Sequence, residues 1–301
     1  MVDVPLLDLR EQIDFLKDLG VEFVQISEEA SKEYLKKNNN LYELMKYCSN
    51  YEKHKEGKNI GKYIHLDFMC LIDLLEIDQM LRHILLKMCL DLEVWLKRDI
   101  TRLCREHHED GFQVVQEYIH YLDSKSYDIL CKELNNSLKD LDVSLSEFLD
   151  VAMFGRINGL YLYLSRKYND EDVKKSHYMM RVCKNIRNMC AHNEVLFKNM
   201  LENNSNCNSP RIVNNALAKI NEVSKLTRVK KMNNQIVRDL VIVFYLYSHI
   251  VNGKERDDIR DCLKEFKIKI NRNIKFHLKN ESLISIFDFL GNVIDNWYDI
   301  N

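Results

Sequence analysis

The chain has 301 residues, 46% of them apolar and 30% charged, with only 8 glycines, 2 prolines and a formal net charge of −2. Average usage is about 7% Gly and 5% Pro, and this scarcity excludes glycine-loop nucleotide enzymes and turn-rich all-β folds. The apolar fraction excludes a disordered chain, and the near-neutral charge excludes a protein that binds polyanions over its whole surface.

The first third of the chain predicts long helices separated by one clear loop. Apolar residues recur at helical spacing over residues 6–19 and stop at Gly20. Ser27 is a suitable N-cap for a second helix, and the polar residues 50–62 predict a loop. Residues 66–105 then keep an apolar helical period without Gly or Pro, which predicts one long helix or two helices broken near Asp78.

The middle of the chain continues the helical pattern. A break is expected near Gly155–Gly159, and residues 172–198 are predicted to form one helix that carries a notable motif. The Asn-rich residues 202–210 predict a linker. The other predicted helices are 112–122, 126–140, 145–168, 211–226, 233–251 and 281–297, whereas residues 256–278 fit either a strand or a helix.

The last third of the chain is basic. Residues 211–301 contain 16 Lys and Arg against 11 Asp and Glu. Such clusters bind phosphate or simply form a solvated helix face, and the pattern leaves both readings open. The candidate RNA contacts here are Lys225, Arg228, Lys230, Lys231, Lys264, Lys267, Lys269, Arg272 and Lys275.

The nine cysteines show no CxxC spacing and no Cys/His set suited to zinc. We therefore expect reduced thiols that pack in the core, as in a cytoplasmic protein. No metal site and no cofactor are predicted. No apolar run approaches the roughly 18 residues of a membrane span, so no membrane association is expected.

One segment, around Arg187, combines residue types suited to phosphate chemistry. Asn188 and His192 lie four residues apart and share a face of the predicted helix. Arg187 lies about 140° around that helix from His192, which is awkward for a site on one straight helix. The spacing alone is weak evidence, because Arg102 with His107 or His108, and Arg272 with His277, match it as well.

The sequence around the Arg187 match distinguishes it from the matches at Arg102 and Arg272. The segment IRNMCAHNEVLF (186–197) resembles the signature of the Abi-like abortive-infection family, the AbiD/AbiF-type phage-resistance proteins of the HEPN superfamily. Residues 6–23, 66–100 and 144–164 resemble the preceding elements of that family in the same order, with Val195 replacing a common Arg. The matching signature residues are Arg187, Asn188, Ala191, His192, Asn193, Leu196 and Phe197.

The resemblance implies a HEPN-type helical bundle with additional N-terminal and C-terminal helices. It also implies a metal-independent endoribonuclease that leaves 2′,3′-cyclic phosphate ends. His192 would be the general acid and base, and Arg187 would stabilise the phosphate. Asn188 would orient either the phosphate or His192 through neutral hydrogen bonds. Lys184 and Asn193 would contact the RNA.

Two other functions stay open at this point. The first is a non-catalytic protein that holds a structured small RNA, as in a toxin–antitoxin or ribonucleoprotein role, and the second is a helical scaffold. In many proteins of the HEPN superfamily two motifs face each other in one cleft, so the resemblance implies a homodimer for a chain with one convincing motif. A bacterial cytoplasmic location is expected. The expected division is an N-terminal segment (1–62), a core with the motif (63–201) and a basic C-terminal region (211–301).

Overall fold

The computed structural model describes residues 6–135, 143–202 and 209–300. In these ranges it contains 14 α-helices and no β-strand, which confirms the all-α prediction. The helices are α1 Leu9–Asp18, α2 Glu28–Asn38, α3 Leu41–Tyr47, α4 Phe68–Glu106, α5 Gly111–Tyr121, α6 Ser124–Asn135, α7 Leu145–Val151, α8 Phe154–Lys167, α9 Glu171–Ala191, α10 Arg211–Leu217, α11 Lys225–Met232, α12 Gln235–Ile250, α13 Lys254–Asn273 and α14 Glu281–Tyr298.

Helix α4 is the central element of the fold. It is one continuous helix of 39 residues, about 58 Å long, so the predicted break near Asp78 does not occur. Its N-cap, Asp67, accepts hydrogen bonds from the backbone N–H groups of Met69, Val24 and Gln25. One carboxylate therefore starts α4 and holds the N-terminal segment against it. Helices α3, α8, α9, α12 and α13 all pack on α4.

Several predicted boundaries are wrong in detail. The pattern over 145–168 breaks at Ala152 and Met153, ahead of Gly155, which lies in the first turn of α8. The pattern over 211–226 is two helices, α10 and α11. Residues 256–278 are helical, because α13 runs to Asn273 and a 3₁₀ turn follows it, so the strand alternative is excluded. The predicted helix 172–198 ends at Ala191.

One hydrophobic core takes side chains from all three of the predicted segments. Leu44 from the first, Leu85 from the second and Phe244 from the third are completely buried in it. Most of the predicted linker, residues 203–208, lies outside the described residues. Among the residues that are described, no helix is long and apolar enough to cross a membrane.

A buried polar network joins the C-terminal helices to α4. The ring of His277 hydrogen-bonds through Nε2 to Oδ2 of Asp73 at 2.8 Å, and its Nδ1 lies 3.2 Å from the Tyr51 hydroxyl. Asn273 donates a further hydrogen bond to Asp73. The match of Arg272 with His277 is therefore coincidental as a catalytic pattern, because His277 is a structural residue that is 2% exposed.

This network predicts a pH-dependent stability. Burial alone would lower the pKa of His277, but the hydrogen bonds and charges of Asp73 and Cys70 outweigh it and raise the pKa to about 9. Protonated His277 stabilises the fold fully below pH 6.5, its ordinary pKa, and this stabilisation is lost as the pH rises through about 9.

We expect the free energy of unfolding to fall by about 3 kcal/mol across that window. Urea denaturation at a series of pH values measures it. The His277→Gln variant should show a flatter dependence between the same limits, whatever its stability at neutral pH. Parallel curves for the two proteins would contradict this assignment.

Candidate functional site

The residues of the motif lie at the C-terminal end of α9. His192 is the C-cap, and Asn193 follows it with a left-handed φ of 53°. The N–H of Asn193 donates to the Cys190 carbonyl at 3.2 Å, and the N–H of Glu194 donates to the Met189 carbonyl at 2.8 Å. This is a Schellman motif, in which Asn is tolerated at the left-handed position. The turn places His192 and Asn193 on the surface.

A solvent-exposed stripe runs along α9 to His192. Tyr178, Arg181, Asn185 and His192 are exposed and Asn188 is half-buried, all at spacings of three or four residues. The Arg181 guanidinium lies 5.6 Å from the centre of the Tyr178 ring. The predicted common face of Asn188 and His192 therefore exists. Among the described residues, the His192 side chain makes no hydrogen bond or ion pair.

Arg187 lies beside this stripe and extends between Asn188 and α4. Its Nη1 donates to Oδ1 of Asn188 at 3.1 Å, and its Nη2 lies 3.9 Å from Oε2 of Glu93. The Arg187 side chain is 35% exposed, and that of Glu93 is 14% exposed. The structure thus brings Arg187 and Asn188 together and adds Glu93, which the sequence did not identify as a partner. Within the described residues, the side chains of Arg187 and Asn188 make no hydrogen bond to the His192 side chain; the His192 backbone N–H donates to the Asn188 carbonyl at 2.9 Å.

The segment after the motif is fastened by two buried side chains that sequence reasoning missed. Asp78 accepts a hydrogen bond of 2.7 Å from the Phe197 N–H. Asn50 donates to the Phe197 carbonyl at 2.6 Å and accepts from the Met200 N–H at 3.0 Å. Both Asp78 and Asn50 are completely buried. They fix the path of the chain that leaves His192.

Asp78 also pairs with a buried cation on the same helix. Nε of Arg82 lies 2.9 Å from the Asp78 carboxylate, and Nη2 of Arg82 lies 3.3 Å from that of Glu43. Burial raises the pKa of Asp78 to about 6, although the Phe197 N–H and Arg82 both favour the ionised form. The spacing of four residues between Asp78 and Arg82 on a predicted helix was the available signal for this pair.

Two further residues in the motif segment have packing roles. Val195 occupies the position of the common family Arg, and it is 6% exposed in the core. Burial raises the pKa of the Cys190 thiol to about 12, so this cysteine is not a nucleophile near neutral pH. The polar side chains that remain in the segment are those of Arg187, Asn188, His192, Asn193 and Glu194.

The predicted RNA contacts on α9 and α11 differ in exposure. Lys184 is half-buried, with its Cδ 3.5 Å from the position that a Cβ on Gly155 would occupy. Lys231 is 7% exposed, and burial, together with the charge of Lys230, lowers its pKa to about 8. Lys231 thus lies inside the fold instead of on an open basic face. The other predicted RNA contacts on α11 are exposed or half-exposed, and they are Lys225, Arg228 and Lys230.

In the basic cluster on and after α13, acidic residues of other helices neutralise two of the lysines. Lys267 forms an ion pair with Asp295 of α14, and Lys269 forms one with Glu76 of α4. These two lysines therefore have internal partners that sequence reasoning could not identify. The other members of this cluster, Lys264, Arg272 and Lys275, are exposed.

In the remaining Arg–His match, Arg102 and His107 each interact with other residues of the fold. Arg102 pairs with Asp99 and Glu106 along α4, at 2.7 and 2.5 Å. The His107 ring stacks on Tyr168 with their centroids 3.6 Å apart. Within the ranges that the structure describes, no group of three or more His, Cys, Asp or Glu side chains is placed to hold a metal ion.

Comparison with known proteins identifies the family. No curated protein and no solved structure matches the chain significantly. The family of Abi-like proteins matches residues 33–198, which is more than half of the chain. The match extends from α2 through the buried Asp78 and the motif to the loop fastened by Asn50. The chain is therefore a member of the Abi-like protein family.

Proposed function

We propose that this protein is a HEPN-type endoribonuclease that acts in abortive infection, the phage resistance with which the Abi-like family is associated. The observation that carries the proposal is His192, an exposed histidine without a partner among the described residues, five residues after an arginine whose guanidinium is oriented by Asn188. An exposed imidazole without a partner of its own is open to contact with a bound RNA.

The proposed reaction uses the 2′-hydroxyl of the RNA as the nucleophile. The 2′-oxygen forms a bond to the adjacent phosphorus and the bond to the 5′-oxygen breaks, which leaves a 2′,3′-cyclic phosphate and a 5′-hydroxyl. One proton leaves the 2′-hydroxyl and one reaches the 5′-oxygen, and His192 moves these protons. Arg187 stabilises the charge on the phosphate oxygens, and Asn188 holds its guanidinium.

The contact of Arg187 with Glu93 fits a resting state of this site. Their closest atoms are 3.9 Å apart, at the limit of an ion pair. A phosphate accepts two parallel hydrogen bonds from a guanidinium and is a stronger partner than a distant carboxylate. We therefore propose that RNA draws Arg187 away from Glu93 on binding.

The proposed enzyme predicts cleavage without metal. Purified protein incubated with single-stranded RNA in excess chelator should produce fragments with 2′,3′-cyclic phosphate ends. The reason is that His192 and Arg187 supply the proton transfer and the positive charge that a metal ion would otherwise provide. Analysis of the fragment ends by mass spectrometry measures this. Cleavage that requires a divalent ion, or that leaves a 3′-hydroxyl, would contradict the proposal.

A homodimer is proposed because the Arg187 and His192 side chains are not hydrogen-bonded to each other within one chain. Arg187 turns towards α4, whereas His192 lies at the exposed end of α9. Two copies that meet at these helix ends would face one Arg187 with the other His192.

Co-expression of two inactive variants tests this shared site. His192→Ala and Arg187→Ala chains produced together should form mixed dimers that cleave RNA, whereas each variant alone should not. The mixed dimer retains one Arg187 and one His192 that face each other. Activity is compared after purification through two different tags. Mixed dimers as inactive as either parent, or a strictly monomeric active enzyme, would contradict a shared site.

The second candidate is an RNA-binding protein without catalysis. It is favoured by the existing partners of Arg187, which are Asn188 and Glu93. Such a protein would purify with bound RNA, and its affinity would fall steeply with salt. The His192→Ala variant would bind that RNA as well as the natural chain does. Cleavage that depends on His192 would exclude this candidate.

A further inference from the structure

A basic groove lies between α4 and α7, away from the clusters that the sequence indicated. It has a volume of about 470 Å³. Four cations from the C-terminal half of α4 line it, together with Ser146 and Asp150 from α7. These cations are Lys97, Arg98, Arg102 and Arg105. We refer to this feature as the α4–α7 groove.

Three of the four cations in the α4–α7 groove are available to a ligand. Arg102 is occupied by Asp99 and Glu106. Among the described residues, Lys97, Arg98 and Arg105 have no ion-pair partner. Arg98 and Arg105 are exposed and Lys97 is half-buried. Their only acidic neighbour in the described lining is Asp150, so the groove has an excess of positive charge.

The spacing of these cations suits an extended chain of negative charges. Lys97 and Arg105 lie eight residues apart on one helix, which is about 12 Å along its axis. Arg98 lies between them. Guanidinium groups bind phosphate through paired hydrogen bonds, and two of the three available cations are arginines. A nucleic acid backbone is therefore a better occupant than a single small anion.

The α4–α7 groove begins one helical turn from an α4 residue that contacts the proposed catalytic arginine. Glu93, which lies 3.9 Å from the Arg187 guanidinium, precedes Lys97 by about 6 Å of axial rise. An RNA strand that leaves the groove at Lys97 is therefore about one turn of α4 away from the contact between Glu93 and Arg187. Resting on the proposed ribonuclease function, we infer that the α4–α7 groove binds the phosphate backbone of the single-stranded RNA that this site cleaves.

The inference predicts a change in the salt dependence of RNA binding. The test protein is the full chain with His192→Ala, which keeps the RNA intact. To it we add Lys97→Gln, Arg98→Gln and Arg105→Gln together. The matched control carries Lys32→Gln, Lys36→Gln and Lys37→Gln on α2, which removes the same charge elsewhere. The probe is a labelled single-stranded RNA of about twelve nucleotides, and fluorescence anisotropy gives its affinity at several salt concentrations.

Each lost phosphate contact should lower the slope of log affinity against log salt by about 0.7 for a single strand. The triple groove variant should therefore lose about two from this slope, and the α2 control should lose nothing. Equal slopes for the groove variant and the control would overturn the inference. Equal affinity for polyglutamate of similar length would also overturn it, because the groove would then bind any acidic chain.

The same proteins separate this inference from the proposed function. In the background with His192 intact, the groove variant should need more RNA to reach half its maximal rate, with little change in that maximal rate. If cleavage depends on His192 but the salt slope is unchanged, only the groove assignment fails. If the chain neither binds nor cleaves RNA, both fail.

Discussion

Replacement of His192 by alanine should lower the rate of RNA cleavage by about 10²- to 10⁴-fold, the usual contribution of a general acid or base. The thermal midpoint of unfolding should not change, because the His192 side chain is exposed and has no hydrogen bond within the described residues. Its backbone N–H still donates to the Asn188 carbonyl in the variant and keeps the helix end. Initial rates on a labelled RNA measure the effect.

The matched control for this prediction is His120→Ala. His120 is also an exposed histidine on a helix, but it lies on α5, which packs on α7 and α8. We expect this variant to cleave RNA at the natural rate. An equal loss in both variants would indicate a general effect of histidine removal, and full activity of His192→Ala would remove His192 from the reaction.

Replacement of Asp78 by alanine should lower the free energy of unfolding by about 3–5 kcal/mol, the usual result of leaving one member of a buried ion pair alone. Asp78 is completely buried and Arg82 is 4% exposed, so the guanidinium would lose its nearest counter-charge. The Phe197 N–H would lose its acceptor as well. Urea denaturation followed by circular dichroism measures the change.

The double variant Asp78→Leu with Arg82→Met provides the control. Removing both charges leaves no buried cation, so most of the lost stability should return, apart from the hydrogen bond to Phe197. If the single Asp78 variant loses less than about 1 kcal/mol, as an exposed pair would, the assigned role of this pair is wrong. The Asp78 variant should also cleave RNA more slowly, because the loop after His192 loses the hydrogen bond that holds it.

The central helix was predictable because its signal is local and long. The apolar period over residues 66–105 continues without Gly or Pro, and α4 follows it to Glu106. The end of α9 was mispredicted for the opposite reason. Val195, Leu196 and Phe197 extend the apolar pattern although they lie in a loop that packs into the core. Asn193, a residue that tolerates a left-handed conformation, was the local signal for the true end.

The candidate site was only partly predictable for physical reasons. The shared face of Asn188 and His192 follows from helical spacing. The pairing of Arg187 with Glu93 joins residues 94 positions apart, which spacing within one helix does not predict. The burial of Lys231 and the pairing of Lys267 and Lys269 depend likewise on which helices pack together. Charge counts locate basic residues along the chain but not on the surface.

The three acidic residues in the N-terminal part of α4 and at its N-cap have structural roles. Asp67 caps the helix and holds the N-terminal segment, Asp73 holds His277, and Asp78 holds the loop after the motif. None of the three carries chemistry in the proposed reaction. Of the three, only Asp78 holds the loop that follows His192.

The most direct test of the proposed function is the cleavage of an RNA that carries a single 2′-deoxynucleotide. The position of cleavage is first mapped on the unmodified strand in the presence of chelator. The sugar on the 5′ side of that position is then replaced by its 2′-deoxy form. We expect cleavage at this bond to stop while other bonds in the same strand are still cut, because the attacking hydroxyl is missing. Continued cleavage of the modified bond at the natural rate would contradict it.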